Sequence, residues 1–204
     1  MEGLREKIER RIEQEGRGWA FSRKDLRDIA PSGPVGVILA RLVHGGMIRR
    51  IGRGLYDYPK KSRLSNGPLP PDVEQSAQAV ARKHRWTIAP EGAMAANLLG
   101  LSRQVPAKIV YLSDGPSRKI QAGHQTLVFR HASPKDLRMD HYSSRLLAQA
   151  LRFLGQGNMD EKVIQHLQTR LSTRDKDRFL QDARYGTDWI LVIAQKIARR
   201  DRLG

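Results

Sequence analysis

The sequence predicts an α+β fold, an N-terminal winged helix-turn-helix followed by a mixed α/β and helical C-terminal half, and three observations predict it. Between residues 4 and 59 the apolar pattern runs helix, helix, helix, hairpin. The stretch from Lys60 to Asp72, KKSRLSNGPLPPD, is poor in aromatics and rich in Pro, Gly, Ser and Asn, the composition of a linker. Beyond it, short apolar runs such as KIVYLSD and TLVFRH give way after His141 to helical periodicity. The domain reading is therefore 1–62 for the winged helix and 63–204 for a second domain. That second domain has a small α/β part at about 72–137 and a helical part at about 138–204.

The first helix is LREKIERRIEQE, where Leu4, Ile8 and Ile12 recur every four residues as one apolar stripe. Trp19 and Phe21 precede Ser22 and Asp25, a Ser-x-x-Asp variant of the capping box that opens a second helix burying Leu26 and Ile29. The connector PSGP leads to a third helix, VGVILARLVH, with Pro34 at its entry and Gly45-Gly46 at its end. Val35, Leu39 and Leu42 form its inner face; Gly36, Val37, Ala40, Arg41 and His44 are left outside. MIRRI and LYDYP then alternate as two strands around Gly-Arg-Gly, a hairpin wing. In the second half, VEQSAQAVARKHRW reads as a helix and TIAPEGAMAANLLG as a strand or turn entering a small-residue helix. SRLLAQALRFLG, DEKVIQHLQTRL and DWILVIAQKIARR read as helices separated by GQGN and a charged stretch.

Charge narrows the class of partner. The chain has 204 residues, with 37 Lys and Arg against 21 Asp and Glu, a net charge of +16 and a pI near 10.8. The excess is spread as 14 basic against 8 acidic residues in 1–62, 10 against 5 in 63–137 and 13 against 8 in 138–204, so no single tail carries it. Such a balance favours a polyanion, nucleic acid or an anionic surface. There is no cysteine, which excludes a disulfide scaffold, a cysteine zinc site and a thiol nucleophile and suits the cytoplasm, the expected location. The charged start MEGLREKIERRIEQEG lacks the apolar core of a signal peptide, and WILVIA at 189–194 is far short of the ~20 residues of a membrane span. No membrane partner is expected.

The wing carries three arginines that a hairpin does not need. Either they lie on a solvated face, or Arg49, Arg50 and Arg53 contact phosphate, with Arg53 at the tip placed for the minor groove. On the second reading, a winged helix presents the start of its third helix to the major groove. The candidate DNA-contacting set is then Lys24, Ser32, Gly33, Arg41, His44, Arg49, Arg50, Arg53 and Tyr56. The outer face of the third helix, Gly36, Val37 and Ala40, offers few groups that hydrogen-bond bases, so specificity falls to Ser32, Arg41, the wing and DNA shape.

The run SRKDLRDIAPSGPVGVILARLVHGGMIRRIGRGLYDYP resembles the N-terminal winged helix of antitoxins from type IV toxin-antitoxin systems, the abortive-infection E group. IAPEGAMAANLLGLSRQVPAKIVYLSDGPSRKI is similar to the Pro-x-Gly-x-x-Ala-x-x-x-Gly-Leu-Ser-x-Gln-x-Pro core of their second domain. The resemblance covers residues 4 to 137 well and the helical tail loosely. It implies a transcriptional repressor that binds inverted repeats in the operator of its own operon, as a homodimer or cooperative multimer on double-stranded DNA. Its C-terminal domain would counter a cognate toxin of the nucleotidyltransferase type in phage defence. The alternative is a protein-interaction module, toxin neutraliser or mobile-element regulator, with only weak non-specific DNA binding.

In the second domain Pro90, Gly92, Asn97, Ser102 and Gln104 form either a partner-binding surface or a helix followed by a tight turn. SDGPSRK at 113–119 lacks the G-x-x-x-x-G-K-[ST] spacing of a phosphate loop and reads as a hairpin turn. His124, His131 and His141 with Asp136 and Asp140 lack metal-ligand spacing and read as ordinary strand and surface residues. No G-x-S-x-G serine or carboxylate pair stands out, so neither catalysis nor a cofactor is expected.

Overall fold

The computed structural model of the chain describes residues 3–62, 67–104 and 106–199. In chain order the elements are α1 (Leu4–Glu15), β1 (Ala20–Phe21), a 3-10 turn (Arg23–Leu26), α2 (Ser32–His44), β2 (Arg49–Gly52) and β3 (Leu55–Asp57). There follow α3 (Val73–His84), β4 (Ile88–Pro90), α4 (Gly92–Leu98), β5 (Ile109–Ser113), β6 (Arg118–Ala122) and β7 (Gln125–His131). The tail holds α5 (Tyr142–Leu154), α6 (Glu161–Arg170), α7 (Thr173–Ala183) and α8 (Asp188–Ala198), with short 3-10 turns at Pro134–Leu137 and Gln156–Asn158.

The chain packs as two compact units, one from its start to Trp86 with Arg118–Val128, the other from Thr87–Ser117 with the chain from Phe129 onward. This division falls elsewhere than the expected boundary at 62/63: α3 and β6 belong with the N-terminal elements. The stretch expected to be a linker, 60–72, falls partly on residues 63–66, outside the described set.

The first unit has the winged-helix order, with an antiparallel sheet β1-β3-β2. Ile8 and Ile12 bury the stripe of α1 against Phe21, Leu26, Val35, Leu39, Leu42 and Ile48, and Trp19 stacks on Phe21 with ring centroids 4.4 Å apart. Each fully buried aliphatic or aromatic side chain contributes about 1.5–3 kcal/mol. Two expectations need correcting. The second helix is only one 3-10 turn, because Pro31 disfavours helix at Ala30 and leaves the segment room for little more. α2 begins at Ser32, not Val35, so Pro34 sits within the first turn, where a backbone N–H has no intrahelical acceptor to lose. α3 lies along β1 and β3, and β6 runs beside β2, where the Gly123 N–H donates to the Ile51 carbonyl at 2.6 Å.

The second unit is built on β4 and β5, paired antiparallel with Ile88 opposite Ser113 and Pro90 opposite Tyr111, and on helices α4 to α8. Ala95, Leu147, Leu151, Leu167, Phe179, Ile190 and Ile197 are fully buried in its helical core. α4 and α5 approach closely at Gly92, where a Cβ would lie 2.6 Å from Phe153 Cβ. β4 to β7 form a four-stranded sheet in the order β4-β5-β7-β6. The 114–117 turn is therefore not a hairpin: the hairpin is β6–β7, and the sequence pattern predicts no strand at β6. Nor does the pattern predict α7, whose run TRDKDRFLQDA looks like charged coil. Ser172 caps it by accepting from the Asp175 N–H, and Phe179, Asp182 and Ala183 form its buried face.

Asp182 is a buried anchor in this unit. Its carboxylate accepts from the His141 backbone N–H at 3.0 Å and lies 3.0 Å from His141 Nδ1. Burial alone would push this carboxyl up, but the His141 backbone, the Ser144 hydroxyl and the His141 ring together outweigh that and hold it below the usual carboxylate range. A depressed carboxyl contributes stability that is present above the ordinary carboxylate range and lost as pH falls through the lowered value. Asp182→Ala is expected to cost about 1.5–3 kcal/mol at neutral pH, with the deficit shrinking on acidification, as urea unfolding at a series of pH values measures.

Candidate nucleic-acid interface

On the first unit an open groove of about 790 Å³ runs between the 3-10 turn, α2 and the wing. Ser32, Gly33, Gly36, Val37 and Ala40 of α2 form its floor, and Arg50, Arg53 and Tyr56 line it from the wing. Arg23, Lys24 and Arg27 enter from the turn, and Lys83 from the end of α3. Six cationic side chains thus line the groove and no described carboxylate does. Among the described residues no ion pair engages any of the six.

Local chemistry fixes this arrangement. The capping box reads as its spacing implies: the Ser22 hydroxyl accepts from the Lys24 N–H at 3.2 Å, and the Asp25 carboxylate accepts from the Ser22 N–H at 2.8 Å. The other Asp25 oxygen accepts from Arg82 Nε of α3 at 2.5 Å, which turns that acid away from the groove. A Cβ at position 36 would lie 3.2 Å from Arg23 Nη1, so glycine there lets a guanidinium rest against α2. At the wing tip Gly54 takes φ +66°, a conformation that favours glycine, and Lys83 Nζ donates to the Arg53 carbonyl at 2.6 Å. Lys24 Nζ donates in turn to the Lys83 carbonyl at 2.6 Å.

Crowding of like charge leaves an electrostatic trace. Lys83 is held below the ordinary lysine range by partial burial first and then by Arg53, Lys24, Arg23 and Arg118. Its neighbour His84 is likewise lowered, by burial and then by Lys83, Arg118 and Lys24. His84 stacks on Trp86 with centroids 4.6 Å apart, and the Arg118 guanidinium lies 5.9 Å from the Trp86 ring centre.

Over residues 7–179 the sequence matches a family described as a family of unknown function (DUF6088). The chain belongs to this family. No curated protein matches it. The DUF6088 match takes in every residue of the groove and ends within α7.

In this DUF6088 chain the residues expected at a DNA interface separate into three groups. Lys24, Ser32, Gly33, Arg50, Arg53 and Tyr56 meet in the groove. Arg41 and His44 are exposed in the last turn of α2, away from its floor. Arg49 is engaged elsewhere, with Nε and Nη2 on the two carboxylate oxygens of Asp57 at 2.9 and 2.6 Å, and Asp57 is almost wholly buried. Arg23, Arg27 and Lys83 were not in the expected set. Arg23 lies within the capping box and Arg27 just after it, which is a local signal; Lys83 lies 30 residues from Arg53, whose carbonyl it binds, and carries none.

The five residues considered for partner binding differ in exposure. Pro90 and Gly92 are buried, while Asn97 Nδ2 donates to the Ser102 and Gln104 carbonyls at 3.2 and 3.1 Å and ties down the loop after α4. His166 Nε2 lies 2.9 Å from the Leu99 carbonyl, and Arg170 Nη2 donates to the Leu98 carbonyl at 3.1 Å, which satisfies the end of that helix. Among the described residues no group of three His, Asp or Glu is placed to hold a metal ion; the side chain of Asp136 lies outside them.

Two outcomes check this assignment. Arg49→Ala is expected to lower unfolding stability by about 2–3 kcal/mol, because it strands the Asp57 carboxylate, as chemical denaturation measures. Lys83→Met is expected to raise the His84 pKa towards its ordinary value, followed by the imidazole resonance in an NMR pH titration.

Proposed function

We propose that this chain is a DNA-binding antitoxin that represses its own operon, with the first unit on operator DNA and the second countering a nucleotidyltransferase-type toxin. The observation that carries the DNA part is the groove: six cations on a winged-helix face, with no described carboxylate among them. The start of α2 forms its floor and the wing its side, the disposition in which a winged helix meets a major groove and the adjacent phosphates. Arg50, Arg53 and Lys24 are assigned phosphate contacts, while Arg49 holds the wing together through Asp57. The antitoxin part rests on the resemblance of the two motifs to type IV antitoxins. Inverted-repeat operators imply a homodimer or cooperative multimer on DNA, and the cytoplasm is the compartment this reading assigns. No catalysis, metal or cofactor enters it. No helix among the described residues is long and apolar enough to cross a membrane.

The test is fluorescence anisotropy on the region upstream of the gene and on a scrambled duplex across a salt series. A preference of about 10³-fold or more at physiological salt supports a specific regulator. Equal binding that collapses with salt assigns the +16 charge to generic attraction and moves the function to partner binding. Lys24→Ala, Arg50→Ala and Arg53→Ala are each expected to reduce the slope of log affinity on log salt by about 0.9, and Arg49→Ala to leave it unchanged.

A further inference from the structure

We infer that Val37 reads the 5-methyl group of thymine in the major groove and gives the site a preference for thymine at the position it faces. This rests on the reading of the groove as a DNA interface. Val37 is 55% exposed, and it is the one exposed large hydrophobic side chain lining that groove among the described residues. Its neighbours one turn away along α2 are Gly33, Pro34, Ala40 and Arg41, so no large aliphatic or aromatic side chain stands beside it on its own helix. Valine is also a modest helix former, which leaves neither packing nor propensity to account for it.

Charge complementarity names the occupant. Arg23, Lys24, Arg27, Arg50, Arg53 and Lys83 line the same groove as Val37, and such a lining admits a polyanion and disfavours an apolar protein surface. In a DNA duplex the apolar feature within the major groove is the C5-methyl of a pyrimidine. Gly33 and Ala40 are short and the Arg23 guanidinium rests against Gly36, so the isopropyl group of Val37 is the exposed apolar feature of this face. With no donor or acceptor, it discriminates by methyl contact alone, a direct readout separate from any hydrogen bond that Ser32 makes.

The test amplifies the upstream region once with dTTP and once with dUTP, which removes every 5-methyl group and keeps base pairing. Amplified DNA carries no methylcytosine, so thymine is the only source of the methyl. Wild-type protein and Val37→Ala, whose alanine favours the helix, are titrated on both duplexes and on a scrambled dTTP duplex. Wild type is expected to bind the dUTP duplex about fourfold more weakly for each thymine contacted, and Val37→Ala to bind both duplexes alike. Equal affinity of wild type for the two, with its preference over the scrambled duplex intact, overturns the inference and leaves the DNA reading standing. A dTTP preference that persists in full in Val37→Ala also overturns it, since the methyl effect then acts through DNA shape. Loss of any preference over the scrambled duplex removes the DNA reading and this inference together.

Discussion

The carboxylate of Asp25 holds the cationic groove in place. One oxygen accepts from the Ser22 N–H and hydroxyl at 2.8 and 2.9 Å, the other from Arg82 Nε, and the same guanidinium donates to the Ala20 carbonyl at 2.7 Å. Three elements, the 3-10 turn, α3 and β1, thereby meet at one nearly buried side chain. A single 3-10 turn has little stability of its own. Its fixed orientation, and with it the direction of Arg23, Lys24 and Arg27, derives from this junction and from Leu26 in the core.

Collecting charge of one sign opposes folding, and the first unit tolerates it by sorting its cations. Arg49 and Arg50 are adjacent in β2, so the pleat sends them to opposite faces. Arg49 is neutralised by Asp57, Arg82 by Asp25 and Arg11 by Asp28, whereas the groove cations stay in an open, water-screened cleft. The lowered pKa of Lys83 reflects the partial burial and remaining repulsion that this arrangement leaves.

Where structure follows from local pattern, the sequence is readable. The stripe of Leu4, Ile8 and Ile12, the Ser22–Asp25 cap, the inner face Val35, Leu39 and Leu42, and the wing around Gly52-Arg53-Gly54 are each written in a short window, and each recurs in the structure. What escaped depends on partners distant in sequence. Nothing near Arg49 distinguishes it from Arg50, because its partner is eight residues on, across the sheet. α3 looked like the start of another domain because its anchors, Asp25 and Ala20, lie some sixty residues upstream. α7 hid behind its charges, since only Phe179, Asp182 and Ala183 face the core. β6 alternates too weakly to declare itself; its sequence, RKIQA, buries only Ala122 fully.

The wing is fastened at both ends of its exposed reach, at the tip by Lys83 on the Arg53 carbonyl and along its edge by Gly123 on Ile51. Its loop is thus ordered before any ligand arrives. On the proposed DNA reading, encounter would be set by diffusion and long-range attraction with no folding step to wait for.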